Sequence, residues 1–300
     1  SILVDALRSL GADITYKAKE GYPPLIINGK DLEKSEVSIQ GNVSSQYISA
    51  LLLMAPGLKN GLKIELLGEV TSVPYINMTL ALLKDLGVQY SWEGNLININ
   101  PLEAVAQAET TVESDWSSAS YFYSLVALSD HGEVTLHSYK KESLQGDSSL
   151  VETYKHFGVS THFDDNKITL RKVDKKLEPL QLDLSDSPDL AQTIAVTCFG
   201  LGIACDLTGL HTLKIKETDR LVALDQELTK LGANIKVTDK SLHLKAGNKI
   251  NKDVLIKTYD DHRMSMAFAP MALKVPIQIE DAEVVTKSYT DFWTDFESVL

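Results

Sequence analysis

Two kinds of apolar pattern alternate along the chain. In the first, apolar residues recur at helical spacing, then a glycine, then a short strand-like run. The copies are "LVDALRSLGADITY", "LALLKDLGVQYSW", "LVETYKHFGVSTHF" and "LDQELTKLGANIKV". Around the last copy, Leu221, Leu224, Leu228 and Leu231 fall on one side of a helix, which predicts an amphipathic helix near the surface. The glycines that close these helices, Gly11, Gly87, Gly158 and Gly232, recur at intervals of roughly 71–76 residues, the mark of an internal repeat. Glycine just past a helix end supplies a left-handed residue without steric cost.

The second pattern is apolar nearly all round: "SSQYISALLLMA", "SSASYFYSLVAL", "SPDLAQTIAVTCFG" and "DDHRMSMAFAPMAL". Such helices are expected to be buried. Each opens with Ser or Asp, good N-caps, and follows a strand-like run: "EVSIQG", "ETTVES", "LQLDLS" or "VLIKTY". Together the patterns define a βαβαββ unit. Full copies are expected at 36–101, 109–174 and 180–246, with half copies at 1–28 and 253–300. Alternating strands and helices imply an α/β fold. The chain opens inside an amphipathic helix without a Met, so a fragment of a longer protein is expected.

Composition narrows the function. The chain of 300 residues is long enough for about two domains, and 44% hydrophobic with 23% charged residues is ordinary for a globular protein. A net charge of −12 argues against a broad nucleic-acid surface, which needs clustered Lys and Arg, but leaves room for a small anion site. The two cysteines, Cys198 and Cys205, lie in an apolar stretch and are expected to be buried free thiols in a reducing compartment. "TIAVTCFGLGIAC" falls short of the ~20 residues of a membrane span, and no signal peptide is visible.

Candidate chemistry sits where loops enter helix N-termini, whose free N–H groups bind anions. Ser44, Ser45 and Gln46 open one buried helix, either as plain caps or as donors to an oxyanion. Ser72, Pro74 and Tyr75 open another helix with the same two alternatives. Asp186 and Asp189 precede a third; one suits the helix dipole, and a carboxylate at a cleft mouth is also a candidate general base. "KIKETDRL" is the informative stretch. Glu217 and Asp219 suit a helix start, whereas Lys216 and Arg220 oppose its partial positive charge. Arg263 in "YDDHRMSM" repeats the mismatch, as does Lys287 in "VVTKSYTDFW", before a helix expected to be capped by Thr290. Such bases at three equivalent turns of one repeat imply a shared anionic ligand. There is no GxGxxG, P-loop, HExxH, paired CxxC or GxSxG motif, and "DDH" at 260–262 lacks a second ligand cluster, so no metal is expected.

Taken in order, "GNVSSQY", "SVPYINMTL", "GDSS", "SPDLAQTIAV", "KETDRL", "YDDHRMSMAF" and "TKSYTDFW" resemble the EPSP synthase (3-phosphoshikimate 1-carboxyvinyltransferase) family over essentially the whole chain. The resemblance implies a two-domain enolpyruvyl transferase fold of three βαβαββ units per domain. Residues 1–112 would be the remaining part of an incomplete N-terminal-type domain, and 113–300 the C-terminal one. Six units of about 72 residues need about 430, so about 125 residues, with further site elements, are expected upstream, and the chain alone is expected to be inactive. The implied reaction transfers the enolpyruvyl group of phosphoenolpyruvate to the 5-hydroxyl of shikimate 3-phosphate and releases phosphate. The resemblance further implies a cytoplasmic monomer with no cofactor, metal, nucleic acid or membrane partner.

Residue by residue, the resemblance makes Ser44, Ser45, Gln46, Ser72, Tyr75, Thr212 and Lys216 ligands of shikimate 3-phosphate. Asp189 would hold and deprotonate its 5-hydroxyl, with Lys216 as a further catalytic residue on the acceptor side. Gln46, Arg220, Arg263 and Lys287 would clamp phosphoenolpyruvate, and Glu217 would give a proton to its methylene carbon. Two departures bear on acceptor binding: Val73 stands where the family usually has Lys, and Thr212 where it often has Asn. Arg220→Ala is expected to cripple turnover and spare the fold. The alternatives are a UDP-N-acetylglucosamine enolpyruvyl transferase, which shares fold and donor, and a non-catalytic anion-binding module.

Overall fold

A computed structural model describes residues 1–42, 44–105 and 109–300. The chain divides into two compact units, Ser1–Thr111 and Val112–Leu300.

In the first unit, helix α1 (Ile2–Ser9) leads into an antiparallel hairpin, β1 (Asp13–Tyr16) and β2 (Leu25–Asn28). A complete βαβαββ motif comes next: β3 (Glu36–Gln40), α2 (Ser45–Met54), β4 (Leu62–Leu67), α3 (Val73–Asp85), β5 (Tyr90–Glu93) and β6 (Leu96–Ile99). Its strands lie in the order β3-β4-β6-β5, with β3 and β4 parallel. The alternating strands turn Val37, Ile39, Ile64, Leu66, Ile97 and Ile99 onto one face, against Ile48, Leu51 and Leu52 of α2 and Ile76, Leu80 and Leu83 of α3. Pro74 falls in the first turn of α3, where its missing N–H costs nothing. Gly11 and Gly87 close α1 and α3 with φ of 106° and 93°, as the repeat predicted. Helix α2 is less enclosed than its sequence suggests, since Leu53 is 61% exposed.

The second unit opens with α4 (Trp116–Leu128), β7 (Glu133–His137), α5 (Leu150–Lys155), β8 (Val159–Asp164) and β9 (Lys167–Lys172). The next repeat holds β10 (Leu180–Asp183), α6 (Ala191–Leu201), β11 (Cys205–Thr208), α7 (Arg220–Lys230), β12 (Ile235–Val237) and β13 (Leu242–Leu244). The chain ends with β14 (Val254–Ile256), α8 (His262–Phe268), β15 (Ile277–Ile279) and α9 (Phe292–Glu297). Sheets β10-β11-β13-β12 and β14-β15 again begin with parallel pairs. Helices α4, α6 and α8 pack on one another as a buried centre. Several buried hydroxyls pair within it: Ser120 bonds Thr193 at 3.0 Å, Thr197 donates to Ser124 at 2.8 Å, and Tyr154 of α5 bonds Thr197 at 2.9 Å. The amphipathic face of α7 is inward, with Leu221, Leu224, Leu228 and Leu231 buried. Cys198 and Cys205 are buried and free.

Two expectations fail. "ETTVES" forms no strand, so this repeat has three strands in the order β7-β9-β8. Side-chain bonds hold the segment instead. Glu113 accepts from Trp116 Nε1 at 2.8 Å, from the Lys140 N–H at 2.9 Å and from Ser143 Oγ at 2.8 Å. Thr290 does not cap α9: Asp291 occupies the N-cap position, without a side-chain cap bond.

Candidate active site

Every site residue singled out in the sequence follows a strand of a parallel pair, at the carboxyl end where such sheets present ligand sites. In the second unit, the loop after β10 carries Asp189 in a 3-10 turn, Pro188–Leu190. The loop after β11 carries Thr212 in the turn His211–Ile215, then Lys216 and Glu217, and ends at Arg220, the first residue of α7. Asp219 caps that helix by accepting from the Val222 N–H. The loop after β14 ends with Asp261 capping α8 at the Arg263 N–H. The loop after β15 ends its turn at Lys287.

These loops converge on Arg220. Its side chain is 1% exposed and meets three carboxylates. Nε donates to Asp261 at 2.6 Å, Nη1 to Asp189 at 2.8 Å, and Nη2 to Glu217 at 2.6 Å. Asp189 also faces Lys216 at 3.5 Å and Arg263 at 3.1 Å. Lys287 reaches the same loop, donating at 2.7 Å to both the carbonyl and the carboxylate of Asp260. The structure therefore brings Asp189, Lys216, Glu217, Arg220 and Arg263 into one cluster, with Lys287 joined through Asp260.

The electrostatics reflect this packing. Burial alone would raise the Asp189 carboxyl, but Arg263, Lys216 and Arg220 outweigh it and hold the group well below the usual carboxylate range. Burial likewise opposes the charge of Arg263, yet Asp189 foremost, with Tyr121, Asp147 and Asp115, keeps this guanidinium firmly protonated. Burial and the neighbouring Arg263 push His262 below its ordinary value. Among the described residues, the polar atoms near the cluster without a hydrogen-bond partner include Arg263 Nε, Thr212 Oγ1 and His262 Nδ1. The expectation that Arg220→Ala would spare the fold is at odds with this geometry, because the substitution strands a fully buried Asp261.

In the first unit, Ser44 caps α2, accepting from the Gln46 N–H at 3.4 Å, while Ser45 and Gln46 form its first turn. Ser72 sits at the N-cap position of α3 with φ 54°, and its side chain makes no capping bond. Tyr75 lies in the first turn of α3. The two loops are neighbours, since the Thr71 N–H donates to the Gly41 carbonyl at 3.1 Å. Ser44, Ser45, Gln46, Ser72 and Tyr75 thus cluster at the β3/β4 end of their unit.

A profile of EPSP synthase (3-phosphoshikimate 1-carboxyvinyltransferase) matches residues 1–296. The chain belongs to the EPSP synthase family. It is 48% identical over 298 residues to a 3-phosphoshikimate 1-carboxyvinyltransferase of Bacteroides fragilis, covering 98% of this chain and 72% of that protein. It is 38% identical over 300 residues to one from Photobacterium damsela subsp. piscicida, covering 99% of this chain and 70% of that one. In fold it resembles an EPSP synthase from Acinetobacter baumannii, with a TM-score of 0.77 at 20% identity over 99% of this chain and 69% of that one. The enolpyruvyl transferase NikO of Streptomyces tendae aligns with a TM-score of 0.72 at 14% identity, covering 99% of this chain and 70% of that one.

Sequence reasoning missed the partners of the cations. Asp261 was read only as a helix cap, and Asp260 was given no role in the cation cluster. Tyr121, which lies against Arg263 from α4, was read only as part of a buried helix. The signal for the first two was present, because each misplaced base in "KETDR" and "DDHR" has an acid within two residues of it.

Proposed function

We propose that the chain binds phosphoenolpyruvate and shikimate 3-phosphate and transfers the enolpyruvyl group to the 5-hydroxyl of the latter. The observation that carries this reading is Asp189, a carboxylate held among Lys216, Arg220 and Arg263 at the carboxyl ends of three strands. Asp189 takes the hydroxyl proton as that oxygen bonds to the central carbon of the donor. Glu217 gives a proton to the donor's methylene, completing a tetrahedral intermediate. Arg220, Arg263 and Lys287 stabilise the phosphate and carboxylate charge of that species. Loss of a methyl proton and of phosphate then regenerates the vinyl group. Lys216 and Thr212 face the acceptor, and Ser44, Ser45, Gln46, Ser72 and Tyr75 bind its phosphate side, with Gln46 also reaching the donor.

Among the described residues no helix is long and apolar enough to cross a membrane. Two buried free thiols suit the reducing cytoplasm, where we place the reaction. The test, run on the full-length protein because the chain alone is expected to be inactive, is phosphate release from phosphoenolpyruvate with shikimate 3-phosphate, alongside calorimetry for each ligand. Asp189→Asn should lower turnover by at least about 100-fold. Release with UDP-N-acetylglucosamine in place of shikimate 3-phosphate, or no binding of either proposed ligand, would overturn the reading.

A further inference from the structure

A second buried charge lies on the inner face of α7, two turns beyond Arg220, and the chemistry above makes no use of it. Glu227 is 0% exposed. Its Oε1 accepts from Tyr259 Oη at 2.5 Å and from Lys230 Nζ at 2.8 Å. Its Oε2 accepts from the Lys257 N–H at 3.1 Å and from Lys230 Nζ at 2.6 Å. Glu227 therefore grips the chain on both sides of Thr258. Burial, followed by the hydrogen bond to Glu227 and its charge, pushes the Tyr259 hydroxyl above its usual range, so it remains a donor. Tyr259 Oη also lies 2.7 Å from Gln226 Oε1, on the exposed side of the helix.

The backbone held by that grip is strained. Tyr259 and Asp260 have φ of 54° and 58°, two consecutive left-handed residues, neither of them glycine. Such a pair persists only where its surroundings over-determine it. The strained turn then delivers the groups that organise the site. Asp260 receives Lys287, and Asp261 receives Arg220 Nε while capping α8 at Arg263. Arg220 and Glu227 thus fasten the same loop to α7 at two points, one beyond the strained pair and one before it.

We propose that Glu227, acting through Tyr259 and the Lys257 N–H, is a positioning residue that holds the turn 257–261 and thereby sets Arg220, Arg263 and Lys287 for the donor. The identity of the donor rests on the function proposed above; the mechanical role does not. Glu227 touches neither substrate. Its removal should weaken binding of the donor without altering that of the acceptor, which a general loss of stability would not do.

The experiment has two arms, run on wild type, Glu227→Ala, Glu227→Gln and Tyr259→Phe. The first is NMR exchange of the Arg220 Nε–H, which is buried against Asp261 in the wild type. Glu227→Ala should speed this exchange by about tenfold or more, Tyr259→Phe by less, and Glu227→Gln, which keeps an acceptor oxygen, should fall between wild type and Glu227→Ala. The second arm is calorimetry of phosphoenolpyruvate with saturating shikimate 3-phosphate, with Asp189→Asn present throughout to suppress turnover. Glu227→Ala should raise Kd for the donor about 5- to 100-fold, with Kd for shikimate 3-phosphate unchanged. Unchanged Arg220 exchange in both Glu227→Ala and Tyr259→Phe would overturn the proposal even if both melt earlier. Equal loss of affinity for both substrates would also overturn it. Failure of the wild type to bind phosphoenolpyruvate would sink the proposed function instead, while the exchange arm still decides the role of Glu227.

Discussion

Arg220→Met is the sharpest test of how the site is built. The side chain is 1% exposed and its main partner, Asp261, is 0% exposed. Removing the guanidinium takes from Asp261 the contacts at 2.6 Å and 3.5 Å and leaves it the Arg263 N–H at 2.8 Å. Asp189 and Glu217, 23% and 41% exposed, can turn to water or to neighbouring cations, so they add little. Stranding one member of a buried pair costs about 3–5 kcal/mol. Asp261→Asn on top of Arg220→Met removes the stranded charge, and the amide oxygen still caps α8. The double variant should therefore lose only about 1–2 kcal/mol, recovering about 2–3 kcal/mol of the loss in Arg220→Met. Urea unfolding in a Trp92→Phe background reads this, because Trp116 and Trp293 then report on the second unit alone. Both variants should lose turnover, so activity and stability separate. A recovery under about 1 kcal/mol would show that Asp261 does not depend on Arg220, and the account of the cluster would fail.

Asp189 is held below its unfolded value, so its contribution to stability is present above the unfolded pKa of about 3.9 and is lost as pH falls toward the folded one. The gap in melting temperature between wild type and Asp189→Asn should accordingly narrow from pH 4 to pH 2; a constant gap would contradict the shift. Lys287→Ala breaks a pair whose side chains are 43% and 87% exposed, so the melt should move by no more than about 1 kcal/mol, while KM for phosphoenolpyruvate rises about tenfold. A large loss of stability with unchanged KM would reassign Lys287 to structure. Ser72→Gly should hold or raise stability by up to about 1 kcal/mol, because φ is 54° there, yet weaken shikimate 3-phosphate binding. Unchanged affinity would remove Ser72 from the acceptor site. Phosphoenolpyruvate is expected to raise the Asp189 carboxyl toward its ordinary range, read by carbon NMR titration. An unshifted titration would mean that the donor does not compete for Arg220 and Arg263.

The repeat was legible because its signals are local. Gly11, Gly87, Gly158 and Gly232 all adopt positive φ, and the leucine face of α7 is buried as its spacing required. The loops that bring candidate residues together were legible because dipole mismatch is also local: Lys216 and Arg220 should not stand at a helix start without an anion to face. What the pattern could not show was which anion. Side-chain partners 31 to 74 residues away, such as Asp189 to Arg220 and Arg263, depend on packing of separate loops, within one repeat for Arg220 and between repeats for Arg263. The strand expected at "ETTVES" failed for a related reason: Glu113 spends its oxygens on Trp116, Lys140 and Ser143. Period-two alternation does not reveal such a competitor. Left-handed Ser72, Tyr259 and Asp260 carry no sequence signal at all, since none is glycine.

The partners found for the cations change what substrate binding has to do. Lys216, Arg220, Arg263 and Lys287 face Asp189, Glu217, Asp260 and Asp261, so four positive charges are already matched by four negative ones. An arriving anion does not fill a bare positive pocket; it competes with carboxylates for the same N–H groups. Asp261 is too deeply buried to yield, and it keeps Arg220 oriented through Nε. Asp189 and Glu217, at the accessible end of the same guanidinium, are the partners that can be displaced. Losing those contacts removes the fields that hold the Asp189 carboxyl low, and burial, which acts in the other direction, then raises it. On the function proposed above, a carboxylate that is a poor base beside its cations becomes a better one once the donor takes them, and the proton of the acceptor hydroxyl would then be withdrawn only when there is a donor carbon for that oxygen to attack.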